Sequence, residues 1–289
     1  MPLSQPGDNR PMSHGQPGDN RPTLSNLNSV RTYWEENVCD TKEHLLLKGK
    51  TRDAIPFPKY SRAYFEEIER RRVASREFAQ PEKYRGKLVL EVGVGSGVDF
   101  VQWVRAGATA FGVDLTQAAV DHTQAWLDAY RLNAVVQRGN AESLLFESDT
   151  FDLTYSWGVL HHTPRTGSAV LECIRVTRPG GEIKLMLYNR WSILWLSARI
   201  LKAITGKDIE SPGTRAYSRS WVYKLARLST ATGMPVTVES VSSPTCDVDL
   251  VKRYGRVVSG VLRFINQTIL RNRHGFFLLI TLRKDARSA

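Results

Sequence analysis

Cysteine is scarce in this chain, with three residues in 289, Cys39, Cys173 and Cys246. Their separation fits no metal-ligand spacing, so no zinc or other metal site is expected, and the usage suits a reducing compartment. Long apolar runs are also missing. No stretch approaches the ~20 residues that a membrane-spanning helix requires. The N-terminal segment is rich in Pro, Gly and Asn and has no apolar core of the kind a secretory signal needs. Together these absences point to the cytoplasm. Lys and Arg outnumber Asp and Glu by 40 to 29, a formal net charge of +11. Yet no basic block is interleaved with aromatic residues, as a nucleic-acid groove would demand. The positive surplus therefore reads as a soluble surface, and nucleic acid is not the expected partner.

What is present is a hydrophobic fraction of 42 %, ordinary for a globular protein, in a chain long enough for one large α/β domain. The organising stretch is Leu88-Val89-Leu90-Glu91-Val92-Gly93-Val94-Gly95-Ser96-Gly97. Its apolar run reads as a buried strand of a parallel sheet, and its glycines as a sharp turn where backbone can approach a ligand. A helix from Val98 to Arg105 then points its N-terminus at that ligand. A second strand ends in Asp114, about 20 positions after the glycines, where a carboxylate can take a ribose diol. The glycine spacing is neither that of a dinucleotide fingerprint nor that of a P-loop, so the turn need not cradle a pyrophosphate.

Along the chain, residues 1–28 form a polar tail in which the heptad at 5–11 recurs at 16–22, a composition that cannot build a core. Residues 29–86 are expected to be helical, with Tyr33 and Trp34 early and a charged helix over 61–78 whose Arg70-Arg71-Arg72 run reads as a solvated face. From residue 87 strands and helices alternate, which predicts right-handed crossovers and a parallel sheet. Strands are expected at 87–91, 109–114, 134–138, 151–156, 182–188 and 235–240, with a final strand at 276–282. Helices are expected from the N-cap Thr116 to Tyr130, over 163–177 with Pro164 in its first turn, over 191–204, over 218–230 and, basic and amphipathic, over 250–270.

Five segments in order, LEVGVGSG, GVDLT, GNAESLLF, FDLTYSWGVLHHTP and RVTRPGGEI, span residues 87–189. This ordered set resembles the class I S-adenosylmethionine-dependent methyltransferases of the small-molecule type. The resemblance implies a doubly wound, mostly parallel seven-stranded sheet, Rossmann-like, with an antiparallel last strand at the sheet edge beside strand five. It also implies an N-terminal helical lid over 29–86, a cofactor-binding domain over 87–289 and a helical cap inserted after strand five, at about 190–218. The cofactor implied is S-adenosylmethionine. Its holders would be Gly93, Gly95 and Gly97 along the methionine part, Glu91 toward the ammonium, Asp114 at the ribose and Leu115 on the adenine. Asn140 stands where the family usually carries an acidic residue for the adenine amino group, and its carbonyl oxygen can still accept. Ala141 and Glu142 follow in the same turn, and Ser156 and Trp157 lie beside the sulfur.

The acceptor side is less defined. His161 or His162 could act as a general base, or the pair could serve only to enter the following helix. Tyr33 and Trp34 suit a lid, or merely pin their helix. Tyr188 and Arg190 at the end of strand five, and Tyr217 and Arg219 after a Pro-Gly turn, could meet a polar acceptor or only pack. Trp191 and Trp195 favour a bulky, partly apolar small-molecule acceptor, quinone-like or from secondary metabolism, under the cap. The same Trp-bearing basic helix could instead lie on a membrane surface. An RNA or protein acceptor stays open as an alternative, although the Asn/Asp-Pro-Pro-Tyr/Phe motif of base-amino methylation is replaced by Trp157-Gly158-Val159-Leu160. A non-catalytic module that keeps only the cofactor is the third reading.

Overall fold

A computed structural model describes residues 27–38, 65, 68–70, 72–206, 211, 213–244, 261, 264–265, 268 and 274–286. Among the described residues, α1 (Leu27–Glu36) and α2 (Val73–Ala79) precede the sheet. Then follow β1 (Leu88–Val92), α3 (Val98–Arg105), β2 (Thr109–Asp114), α4 (Gln117–Tyr130), β3 (Val135–Arg138) and β4 (Phe151–Trp157). The second half holds α5 (Thr166–Val176), β5 (Thr177–Asn189), α6 (Ile193–Thr205), β6 (Ala216–Tyr217), α7 (Arg219–Ala231), β7 (Val236–Ser242) and β8 (Phe277–Lys284).

The main path of the sheet runs β3-β2-β1-β4-β5-β8-β7, and short β6 pairs in parallel with the end of β5. The strands from β3 to β5 are parallel to their neighbours, whereas β8 is antiparallel to both β5 and β7. The last strand is therefore antiparallel and beside β5, as expected, but it does not form the edge. β7 lies beyond it. β8 carries Leu278, Leu279, Ile280 and Leu282, all buried, and a strand this apolar is better flanked on both sides than exposed along one.

Strand order reverses between β1 and β4, which opens a crevice at their carboxyl ends. Each face of the sheet carries a core. Phe100, Trp103, Trp126 and Leu127 of α3 and α4 pack on one face with Phe65 and Tyr155. Val170, Cys173 and Ile174 of α5, with Leu225 of α7, pack on the other. Each such large side chain contributes about 1.5–3 kcal/mol by leaving water.

Some local expectations shift. The helix expected over 163–177 begins only at Thr166, because Leu160–His162 forms a 3-10 turn. The Leu160 carbonyl accepts from both Thr163 Oγ1 at 2.8 Å and Thr166 Oγ1 at 2.9 Å, which holds Pro164 outside the helix. β5 starts at Thr177, so Pro179-Gly180-Gly181 interrupts a strand instead of preceding it. The arginine run is not wholly solvated either, since Arg72 Nη1 lies 3.1 Å from Asp99 Oδ2. The tail over 1–28 gives way to α1 at Leu27, and most of it lies outside the described residues, as does most of the helix expected over 250–270. Among the described residues no helix is long and apolar enough to cross a membrane.

Two buried lysines brace helix ends. Lys284 Nζ donates to the carbonyls of Ile174, Arg175 and Thr177 at the end of α5, and lies 2.6 Å from Asp149 Oδ1. Lys184 Nζ donates to Phe78 and Ala79 carbonyls at the end of α2, 3.1 Å from each. An ammonium at a helix C-terminus satisfies carbonyls that have no intrahelical partner and meets the negative end of the dipole. Replacing Lys284 by Met would leave those acceptors and Asp149 without their cation. Urea unfolding of Lys284→Met should show a loss of about 3–5 kcal/mol. A loss below 1 kcal/mol would show that water replaces the ammonium there.

Candidate functional site

The crevice is built by backbone geometry first. Gly93 N–H donates to the Val113 carbonyl at 2.7 Å, which ties the turn after β1 to the end of β2. Gly93 has φ +86°, and a Cβ there would stand 2.3 Å from Val159 Cγ2, so only glycine fits. Gly97, at φ +78°, begins α3, and a Cβ there would meet the Thr123 backbone at 2.9 Å. The Asp114 carboxylate joins the pieces. Its Oδ2 accepts from Gly95 N–H at 3.0 Å, and its Oδ1 accepts from Thr116 N–H at 3.0 Å and Thr116 Oγ1 at 2.9 Å. The Thr116 hydroxyl in turn caps α4 by accepting from Ala119 N–H at 3.3 Å. Burial raises the Asp114 carboxyl above its ordinary value, and the Gly95 and Thr116 hydrogen bonds work against that rise.

A cavity opens above this junction, with about 730 Å³ of empty space that is partly open to solvent. Gly93, Gly95, Asp114, Leu115, Asn140 and Ala141 line it, together with His162 and Trp34. The remaining wall is α1, whose Leu27, Val30 and Trp34, with Val38 just beyond, face the cavity. α1 is anchored from outside. The Glu35 carboxylate accepts from Gln117 N–H at 3.2 Å and Ala118 N–H at 3.0 Å, and so supplies an anion to the first turn of α4. Sequence reading named Trp34 but missed Leu27, Val30 and Val38. Their spacing of three, four and four residues is a helical stripe, and that was the available signal.

Other expected residues sit elsewhere. Glu91 is buried below the cavity, where its Oε2 accepts from Trp103 Nε1 at 2.8 Å. Gly97 does not line the cavity, and its need is internal, as above. The Glu142 carboxylate accepts from Arg165 N–H at 2.7 Å and Arg165 Nε at 2.8 Å. It thereby supports the start of α5 and does not line the cavity. Asn140 Oδ1 already accepts from Glu142 N–H at 2.9 Å. Ser156 Oγ donates to the Val92 carbonyl at 2.7 Å, and the Trp157 ring packs edge-on against Phe277 at 5.4 Å.

The aromatic candidates form a separate cluster. Trp34 meets His162 edge-on at 5.0 Å, and Tyr33 meets Trp34 at 5.1 Å without lining the cavity. His161 stacks on Tyr188 at 3.9 Å, and Tyr188 also contacts Phe276 at 4.4 Å and Trp195 at 6.2 Å. Tyr217 is buried against Trp221 at 4.2 Å, and Arg219 opens α7, both off the cavity wall. Arg190 is exposed and lies over the Trp191 ring at 5.8 Å. Trp191 is 63 % exposed, and Leu196, Ile200 and Ile204 leave α6 apolar toward solvent. Among the described side chains of α6, none lines the cavity.

Burial lowers His162 to about 4 and holds His161 well below its ordinary value. Both rings are neutral at pH 7. Their chemistry differs by position, since His162 lines the cavity and His161 does not.

Parallel strands in this order, a glycine turn after β1 and a carboxylate closing β2 are the arrangement expected from the resemblance to class I S-adenosylmethionine-dependent methyltransferases. Residues 89–181 match the family model described as a methyltransferase domain. Over 106 residues the chain is 31 % identical to the ubiquinone biosynthesis O-methyltransferase of Pseudomonas fluorescens (strain Pf0-1), covering 36 % of this chain and 46 % of that one. The protein of the same description from Coxiella burnetii (strain Dugway 5J108-111) is 28 % identical over 37 % of this chain and 45 % of its own. The chain thus spans about half the length of the curated relatives it matches. Among solved structures, magnesium protoporphyrin IX methyltransferase from Synechocystis PCC 6803 with bound SAH superposes with a TM-score of 0.56. That comparison has 12 % identity and covers 90 % of this chain and 99 % of that one. The cyclase SpnF superposes at 0.52, with 18 % identity over 74 % of this chain and 82 % of its own. At such identities these structures speak to the fold alone.

The donor set suits the cofactor of this family. The cavity offers a carboxylate for a diol, small apolar side chains (Leu115, Ala119, Ala141) for a flat base, and glycine backbone for close approach.

Glu91 gives the site a testable pH signature. Desolvation raises it well above 4.5, and Asp99 adds to the rise. The unfolded chain therefore releases the proton first, and stability falls as pH rises from about 5, by up to ~1.4 kcal/mol per unit, until the folded group ionises. In Glu91→Gln, which keeps an acceptor for Trp103, thermal unfolding between pH 5 and 8 should lack that fall. The same slope in both proteins would place the charge elsewhere.

Proposed function

We propose that the chain transfers a methyl group from S-adenosylmethionine to a small, partly apolar acceptor. One observation carries this reading. A single cavity has Asp114, Leu115 and the glycine turn on one wall and Trp34 and His162 on another. A cofactor and a second, flatter molecule could thus meet inside it. The names of the curated relatives, which concern ubiquinone biosynthesis, support an aromatic or quinone-like acceptor.

When bound, the cofactor supplies an electrophilic methyl on a sulfonium, and the protein's work is to bind, orient and exclude water. Asp114 would accept from the ribose hydroxyls, exchanging one of its present donors. Leu115, Ala119 and Ala141 would flank the adenine, and Asn140 would present its amide to the ring edge. Gly93 and Gly95 would lie along the methionine part. Glu91, buried and hydrogen-bonded to Trp103 Nε1, would support the strand end beneath it. α1, latched by Glu35, would act as the lid and keep bulk water from the reacting centre. His162, neutral and on the cavity wall, would accept the acceptor's proton, while His161 and Tyr188 pack behind it.

Calorimetric titration with S-adenosylmethionine tests the cofactor side. Asp114→Ala should weaken binding by about 1.5–3 kcal/mol, the worth of hydrogen bonds to a charged group. An unchanged affinity would remove Asp114 from the ribose and this reading with it.

A further inference from the structure

Two hydroxyl oxygens converge on the edge of His162. Its Nδ1 lies 2.9 Å from Thr214 Oγ1 and 3.0 Å from Ser211 Oγ, and these two hydroxyl oxygens are 2.9 Å apart. Both hydroxyls belong to the connection between α6 and β6, some fifty residues from the histidine in sequence. None of the three contacts can form without a hydrogen between its atoms, so the hydrogens can be counted.

Thr214 has one hydroxyl hydrogen, and it is committed. Thr214 Oγ1 donates to the Ser211 carbonyl at 2.7 Å, and a carbonyl can only accept. That leaves the Ser211 hydrogen, plus one more if Nδ1 is protonated. With Nδ1 bare, one hydrogen must serve three contacts, and two of them set lone pair against lone pair. With Nδ1 protonated, the ring N–H donates to the two oxygens and Ser211 Oγ donates to Thr214 Oγ1, so all three contacts are made. A neutral ring has a single N–H, and which nitrogen holds it is decided by the partner of the other. Burial already keeps this ring neutral.

We propose that Ser211 and Thr214 hold His162 in the tautomer with its proton on Nδ1, which leaves Nε2 bare as an acceptor. The two hydroxyls are positioning residues: they act on the histidine and not on substrate. This rests on the reading of His162 as the base only for its consequence, because the tautomer itself is a property of the protein without cofactor or acceptor. It also gives the loop after α6 a role in the chemistry that no local motif announces.

The test is nitrogen NMR of the full chain labelled with 15N-histidine, with the His162 signals among the six histidines identified by their loss in His162→Gln. The expected result is a pyrrole-type Nδ1 and a pyridine-type Nε2 near pH 7. In Thr214→Val the Ser211 hydrogen loses its hydroxyl acceptor and turns to Nδ1, so the pattern should invert. Thr214→Ser should restore it, which separates the effect from mere loss of packing. A pyridine-type Nδ1 in the unmodified protein, averaged signals, or a Thr214→Val spectrum with no inversion overturns the proposal. Unchanged methyl transfer by His162→Gln, in contrast, would dismiss the base reading and leave the tautomer standing.

Discussion

The Asp114 carboxylate is the constraint on which the rest of the site depends. It accepts from the glycine turn after β1 through Gly95 and from the start of α4 through Thr116. Those two pieces of chain come from neighbouring strands, where the bond from Gly93 N–H to the Val113 carbonyl and the packing of Gly97 on Thr123 also join them. The anion adds side-chain hydrogen bonds that tie the turn to the start of α4 at the floor of the cavity. Its burial is unfavourable for the charge, and the hydrogen bonds from Gly95 and Thr116 work against that cost without cancelling it. An anion held so close to its ordinary donors is also ready to exchange one of them for a ligand hydroxyl.

Around this floor the walls have different origins. The cofactor wall is made by strand ends and by the turn that follows each of them, in the crevice where the strand order reverses. The opposite wall comes from outside the sheet. α1 arrives from the N-terminal segment and is fastened by Glu35 to the N-terminus of α4, so this wall is attached to the same helix that Thr116 caps. The loop between α6 and β6 supplies the hydroxyls that meet His162. A common floor with separately supplied walls is how one fold accommodates many ligands.

Much of the fold was legible because its signals are local. The apolar run before the glycines, the N-cap Thr116 and the strand-helix alternation each report on a few neighbouring residues, and the elements fall close to where these place them. The order of β8 and β7 was not legible, since an apolar strand announces its burial but not its neighbours. At the site, Asp114 and the glycines could be read from spacing along one βαβ unit. Glu142 and Trp157 stood in the expected motifs, yet tertiary partners claim their side chains: Arg165 in one case and Phe277 in the other. Glu35, Ser211 and Thr214 gave no sequence signal at all, because each acts on a residue 49 or more positions away.

The central claim is that the glycine turn and Asp114 grip one adenosyl molecule from two sides. The most direct measurement is a crystal structure of the full chain with S-adenosylhomocysteine. The account predicts the ribose hydroxyls within hydrogen-bond distance of the Asp114 carboxylate, the base beside Leu115, and α1 closed over both. Density for the molecule in another part of the chain, or Asp114 turned to bulk solvent while the molecule is bound, would contradict it.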